Sequence, residues 1–271
     1  MGNWPRSMLA LVCMIASGGA SGASATLQTW VEPTTKMVFV ALPKGCYRMG
    51  TEKPVDPPPD AHWARIGYKG NLAEDEVPRH EVCVDAIWMA KTEVSEADWH
   101  KVMGGTPPAD GGRRAKVGVT WEQARAFAQR LTALSSGMAR FRLPTEAEWE
   151  YGCRAGNSKE AAETSELDGK AWFSEAQQRS YEARETGVLQ ANAFGLHDML
   201  GNAWEWTEDS YRADGYTRHA LYNPKVDEAG KPRVIRGGSF RTEFAQTRCT
   251  ARGRYDPASS LDAIGVRLVR E

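Results

Sequence analysis

The residues best suited to chemistry lie between Asp198 and Trp206. The run Asp198-Met199-Leu200-Gly201-Asn202-Ala203-Trp204-Glu205-Trp206 sets two carboxylates on either side of a glycine turn. A hard cation such as Ca²⁺ takes roughly six to eight oxygens, from carboxylates and backbone carbonyls together, and such a loop offers both kinds. On spacing alone, a capped turn with two solvated acids is the better account. The five histidines, at 62, 80, 100, 197 and 219, show no two-His, one-carboxylate spacing and read as surface or structural residues. No G-x-S-x-G, P-loop or H-E-x-x-H occurs, so nucleophile elbow, phosphate cradle and zincin helix are excluded. Beyond Cys13 the cysteines are Cys46, Cys83, Cys153 and Cys249, widely spaced and without C-x-x-C. A zinc site is not expected; an even set suits two disulfides, with three pairings open.

Elements must hold these side chains in place. Residues 37–42 (MVFVAL) read as a strand, and Val82-Cys83-Val84 alternates as a half-buried strand does. Ser95 caps a short helix running to about Val102. Thr120 and Gln123 form a capping box, and Trp121, Ala124, Phe127, Ala128, Leu131 and Leu134 follow at helical spacing, the clearest helix in the chain. Thr145 and Glu148 form another box, for a helix through Tyr151. Residues 51–80 and 104–116, rich in Pro, Gly and Asp, read as long surface loops and candidate interaction surfaces. From 191 onward the pattern is short strands and turns.

The 271 residues carry 34 Lys+Arg against 35 Asp+Glu, so nothing electrostatic supports a nucleic-acid or anionic-membrane partner. Ten Trp among 26 Gly and 14 Pro point to a loop-rich fold with aromatic anchors rather than a helical bundle. Arg6, the apolar run at 8–16 and the small residues ending in Ala23-Ser24-Ala25 read as a signal peptide over residues 1–25. The expectation is export to the periplasm or exterior with cleavage after Ala25, leaving one domain at 26–271 and no integral membrane segment. N-terminal sequencing that begins elsewhere than Thr26 would count against it. Export also fits the even cysteine set.

Several stretches, in order, resemble the formylglycine-generating enzyme (sulfatase-modifying factor) family: Gly45-Cys46-Tyr47-Arg48-Met49-Gly50, Glu76-Val77-Pro78-Arg79-His80-Glu81-Val82, Lys91-Thr92-Glu93-Val94-Ser95, Arg142-Leu143-Pro144-Thr145-Glu146-Ala147-Glu148-Trp149-Glu150-Tyr151, Asn192-Ala193-Phe194-Gly195-Leu196, Gly201-Asn202-Ala203-Trp204-Glu205-Trp206, Arg236-Gly237-Gly238-Ser239-Phe240 and Gly265-Val266-Arg267. The resemblance implies a single loop-rich α+β domain related to the C-type lectin fold. It implies structural Ca²⁺ on the side chains of Asp198 and Glu205 and the carbonyls of Gly201 and Ala203. It also implies a Cys153–Cys249 disulfide, which leaves Cys46 and Cys83 to each other.

The resemblance further implies Cu(I) held by two thiolates, the first three residues after the Ser of Gly-Gly-Ser. Here that residue is Thr242, and 243–248 contains no Cys. A hydroxyl is no substitute for thiolate on soft Cu(I), so no copper site and no formylglycine synthesis are expected. Asn202, Trp204 and Ser239 match residues lining the family's active site. Arg241, Thr242 and Glu243 stand where the metal-binding segment would be, an Arg, a hydroxyl and a carboxylate able to bind a polar ligand, with Glu243 a candidate general base. The expected function is an oxidase-like or tailoring protein acting on a small peptide or natural product, as a relative does in pyoverdine maturation; no residue specifies a redox cofactor. The alternative is a non-catalytic lectin-like module that binds a protein or other ligand or regulates a partner.

Overall fold

Apolar strands from early and late in the chain, with neighbours such as Phe39 and Val40 buried in different cores, build the first layer of the protein. The computed structural model describes residues 27–53, 74–157, 169–173, 182–243 and 246–271. The expected leader and most of the 51–80 loop lie outside the described residues. Strands β1 (Thr29–Val31), β2 (Val38–Leu42), β5 (Ile87–Ala90), β6 (Phe141–Arg142) and β11 (Val269–Arg270) form a five-stranded antiparallel sheet in the order β1-β2-β5-β11-β6. The last strand therefore lies inside the sheet, between β5 and β6, more than 120 residues earlier in the chain. A second sheet holds β7 (Trp204–Ser210), β8 (Arg233–Arg236), β9 (Arg252–Tyr255) and β10 (Ile264–Gly265), ordered β10-β7-β8-β9, with only β10–β7 parallel. Strands β3 (Gly45–Met49) and β4 (His80–Val84) form a separate two-stranded sheet.

The three α-helices among the described residues start where their caps predict. Helix α1 (Glu96–Met103) begins after Ser95, α2 (Trp121–Leu134) after Thr120, and α3 (Glu146–Arg154) after Thr145, each with a complete capping box. Helix α3 runs three residues past its expected end. The extra turn is held by burial: Cys153 is disulfide-bonded to Cys249, and Arg154 Nε donates to Glu150 at 2.8 Å. The 104–116 segment is pinned at its end by bridges Ser95–Ala115 and Arg114–Glu185.

The tryptophans act as the expected anchors, because an indole buries a large apolar area yet needs one acceptor. Trp206 N–H donates to the Val119 carbonyl (3.0 Å), Trp121 N–H to the Thr207 carbonyl (2.8 Å), and Trp149 N–H to Glu205 (2.6 Å). Trp99 stacks on Phe127, centroids 5.1 Å apart, joining α1 to α2. One core lies beneath α1 and α2, around Phe39, Phe127, Leu131, Trp206 and Leu268; a second surrounds α3, around Met49, Met89, Trp149 and Val269. Among the described residues no helix is long and apolar enough to cross a membrane.

Candidate functional site

Backbone geometry forces the turn that leads into β7. Asp198, Gly201 and Asn202 have φ of 55°, 85° and 56°. A Cβ on Gly201 would stand 1.8 Å from the Trp172 carbonyl oxygen, so only glycine fits. Gly201 N–H donates to the Gly237 carbonyl (2.8 Å), Asn202 N–H to Trp172 (2.9 Å), and Phe240 N–H to Asn202 (2.9 Å). The turns of Gly201-Asn202 and Gly237-Gly238-Ser239 thus form one unit, with Ala203 buried against Phe240, Ala115 and Ala263.

Beneath it lies a group of buried acids around one arginine. Glu205 receives Arg267 Nε at 3.0 and 2.9 Å on its two oxygens, Arg267 Nη2 at 2.8 Å, and the Trp149 N–H. Both of its oxygens are engaged. Asp198 accepts Gly187 N–H at 2.6 Å on Oδ2, and Glu93 accepts Asn202 Nδ2 at 3.1 Å on Oε2. The other oxygens, Asp198 Oδ1 and Glu93 Oε1, are buried with no hydrogen-bond partner among the described residues. Burial, then the charges of Asp198 and Glu205, push Glu93 well above the usual carboxylate range; burial also raises Asp198. Three buried carboxylates thus face one guanidinium, with a spare oxygen each on Asp198 and Glu93; among the described residues no three His, Cys, Asp or Glu side chains are placed to hold a metal ion by themselves, so a cation here would need backbone carbonyls as well. Of the expected acids, Asp198 has an oxygen to spare and Glu205 does not. Glu93 was missed by the sequence reading, as was Arg267. Both lie in stretches that carry the family resemblance, and charged residues in a motif flanked by apolar ones are the signal that could have found them.

The Ser239–Glu243 segment folds into a tight turn. Ser239 N–H donates to Thr242 Oγ1 (2.8 Å), Thr242 N–H to the Ser239 carbonyl (2.9 Å), and the two hydroxyls lie 3.1 Å apart. Ser239 and Thr242 are buried, whereas Arg241 is exposed, lies over the Phe240 ring and pairs with Asp262 at 2.6 Å. Glu243 is partly buried, and its carbonyl accepts Gln246 N–H. Asn202 touches this turn through its backbone, while its side chain faces Glu93 and Arg184 N–H. Trp204 is half-buried and lines a separate cleft of about 190 Å³ with Gln246, Arg248 and Arg252. The structure therefore joins Ser239, Arg241, Thr242 and Glu243 in one turn, connects Asn202 to it from below, and turns Trp204 to the cleft beside it.

Motif acids elsewhere brace this unit. Glu146 binds Arg252 (2.6 and 2.9 Å), Glu150 bridges Arg154 and Arg236, and Glu148 binds Arg142 (2.7 and 2.8 Å). Burial would raise Glu146, but the Arg252 and Arg236 charges outweigh it and hold it below the usual range. Arg236 immediately precedes the Gly237-Gly238 turn, so α3 carries the ionic frame on which the turn rests.

Both disulfides are formed, Cys46–Cys83 and Cys153–Cys249. They suit folding in an oxidising compartment.

Comparison with known proteins follows this geometry. The formylglycine-generating enzyme of Bos taurus is 27% identical over 88% of this chain and 75% of its own length. That of Streptomyces coelicolor is 32% identical over 57% of this chain and 52% of its own. Among solved structures, PvdO from Pseudomonas aeruginosa superposes with a TM-score of 0.73 at 25% identity, covering 90% of this chain and 98% of that one. CarF shares the fold, with a TM-score of 0.61 at 19% identity over 87% of this chain and 98% of its own. The model of the sulfatase-modifying factor enzyme 1-like domain matches residues 26–271, and the chain belongs to that family.

Proposed function

We propose that this chain is a family member that does not make formylglycine, and that it serves as an exported, oxidase-like or tailoring protein acting on a small peptide or natural product. One observation carries the reading: all four cysteines after residue 26 are held in disulfides, so no thiol remains to bind copper. Thr242, at the position the family resemblance gives to a copper ligand, spends its hydroxyl on Ser239. Likeness to PvdO over nearly the full length of both chains supports a tailoring role. The polar turn of Arg241, Thr242 and Glu243 is the proposed contact for substrate, with Glu243 the proton acceptor. Purified protein with Cu(I), O₂ and a Cys-x-Pro-x-Arg peptide is expected to yield no aldehyde by mass spectrometry. Aldehyde formation with stoichiometric copper would overturn the reading.

Calcium belongs to the same proposal. Asp198 and Glu93 would hold it with their spare oxygens, joined by the carbonyls of Gly201 and Ala203, and Glu205 would contribute charge from its place against Arg267. The ion would brace the turn rather than take part in chemistry. Calorimetric titration should show binding lost in Asp198→Asn and weakened in Glu93→Gln. An isotherm unchanged in both variants would remove the site.

A further inference from the structure

The two disulfides sit in different surroundings. Cys153 is buried in the core around α3, and Cys249 packs against the same cluster. Cys46 is exposed on β3, while its partner Cys83 is only 8% exposed. The two stand directly opposite in the β3–β4 ladder, outside both larger sheets.

Hydrogen bonding shows what that bridge does and does not support. Cys83 N–H donates to the Leu221 carbonyl (2.7 Å), and the Cys83 carbonyl accepts Asn223 N–H (2.8 Å). Neither group turns toward β3, so Cys46 and Cys83 form a non-hydrogen-bonded pair, the kind in which facing side chains come closest. Opening the bridge breaks no ladder hydrogen bond between the two residues, and the adjoining pairs Gly45–Val84 and Tyr47–Val82 keep the strands in register. Around the exposed sulfur, Lys44 and Arg48 share its side of the strand by the two-residue alternation, and both are exposed. Arg48 pairs with Glu52 at 3.2 Å and faces Glu81 across the ladder, so the charges beside the bridge are of both signs and access rests on exposure. Leu221 and Tyr222, 42% and 70% exposed, lie beside Cys83 as an apolar ledge.

We propose that Cys46–Cys83 is a thiol–disulfide exchange site at which Cys46 Sγ is the sulfur attacked by an external dithiol. The attacking thiolate forms a bond to Cys46 Sγ, the Cys46–Cys83 bond breaks, and Cys83 leaves as a thiolate that takes up a proton. The second thiol of the dithiol loses its proton and attacks its own partner's sulfur, releasing Cys46, which is protonated in turn. Two electrons and two protons pass to the protein, and the dithiol becomes a disulfide. Cys153–Cys249, shielded by the core, takes no part.

The test uses the full chain under native conditions with dithiothreitol as the dithiol, acid quenching, alkylation and peptide mass spectrometry. Cys46 and Cys83 should be labelled at least tenfold faster than Cys153 and Cys249, with the circular dichroism spectrum unchanged. Equal rates, earlier labelling of Cys153 and Cys249, or labelling only as the spectrum collapses would overturn the proposal. Single variants locate the attacked sulfur: the free Cys46 of Cys83→Ser should react with an aromatic disulfide reagent at least tenfold faster than the free Cys83 of Cys46→Ser. The reverse order would overturn the assignment to Cys46, and the wild-type labelling stands if either variant fails to fold.

Discussion

Arg267 and Glu205 show how one buried side chain can hold a site together. Arg267 also donates to the Ala90 carbonyl (2.9 Å) and the His197 carbonyl (2.8 Å), so a single guanidinium joins β5, the segment before the turn, and β7. Removing one partner of a buried pair leaves an uncompensated charge, which costs about 3–5 kcal/mol. Arg267→Met should lose that much in urea unfolding, and adding Glu205→Gln should recover part of it. If calcium binds at Asp198 and Glu93, chelation should lower the unfolding midpoint; saturation at a hundredfold over Kd contributes about 2.7 kcal/mol. A second residue-scale effect is pH dependence. Burial lowers His219 to about 4, so below its ordinary value near 6.5 the unfolded chain takes a proton that the folded chain refuses. Stability from this group is lost as pH falls from 6.5 toward 4. Burial, then Glu146, raises Asp209 to about 7, so the folded chain holds a proton that the unfolded chain releases above about 4, and stability is gained as pH falls through the same window. The two slopes oppose each other, each at most about 1.4 kcal/mol per pH unit. The wild-type stability profile between pH 4.5 and 6 should be nearly flat in these two groups. His219→Gln should gain stability on acidification across that window and Asp209→Asn should lose it; parallel profiles would refute the assignment.

At the scale of the element, caps and turns position the chemistry. Thr145 accepts Glu148 N–H at 3.2 Å, and Glu148 returns to Thr145 N–H at 2.8 Å while also binding Arg142. Thr145→Ala should cost about 1–2 kcal/mol, and Thr120→Ala, at the exposed box of α2, about 1 kcal/mol or less, both read by thermal unfolding. The turn before β7 is less tolerant. Gly201→Ala combines an unfavourable φ with a collision against backbone, so several kcal/mol, about 3 or more, should be lost. If the proposed calcium site exists, the same variant should also weaken it, because the carbonyl of residue 201 moves with the turn.

For the whole molecule, long-range ties decide stability. The Cys153–Cys249 bridge closes 96 residues and Cys46–Cys83 closes 37. Chain entropy gives roughly 5 kcal/mol for the first and roughly 4 kcal/mol for the second as upper figures. Cys153→Ala with Cys249→Ala should therefore be the more damaging pair in urea unfolding, and more so because it opens a packed core. The ionic frame of Glu146, Glu150, Arg236 and Arg252 lies in the same region, so the bridge and the frame should fail together.

Much of this was legible in the sequence, because the signals concerned act over a few residues. Ser95, Thr120 and Thr145 marked their helices through contacts three positions away, and the apolar stripe from Trp121 to Leu134 declared its buried face by period alone. The even cysteine count and the ordered motif stretches pointed to disulfides and to the family. Other features depended on partners far apart in the chain. Glu205 meets Arg267 across 62 positions, and Asn202 meets Glu93 across 109. Spacing within Asp198–Glu205 made both acids equivalent, whereas the fold gives Glu205 to Arg267 and leaves spare oxygens on Asp198 and Glu93. The exposure of Cys46 against the shielding of Cys153 likewise follows from where each lies, Cys46 on the small β3–β4 sheet and Cys153 on the buried helix α3. Local periodicity and capping are short-range and written in the residues themselves; the partner of a buried charge is chosen only when sheet order brings distant strands together.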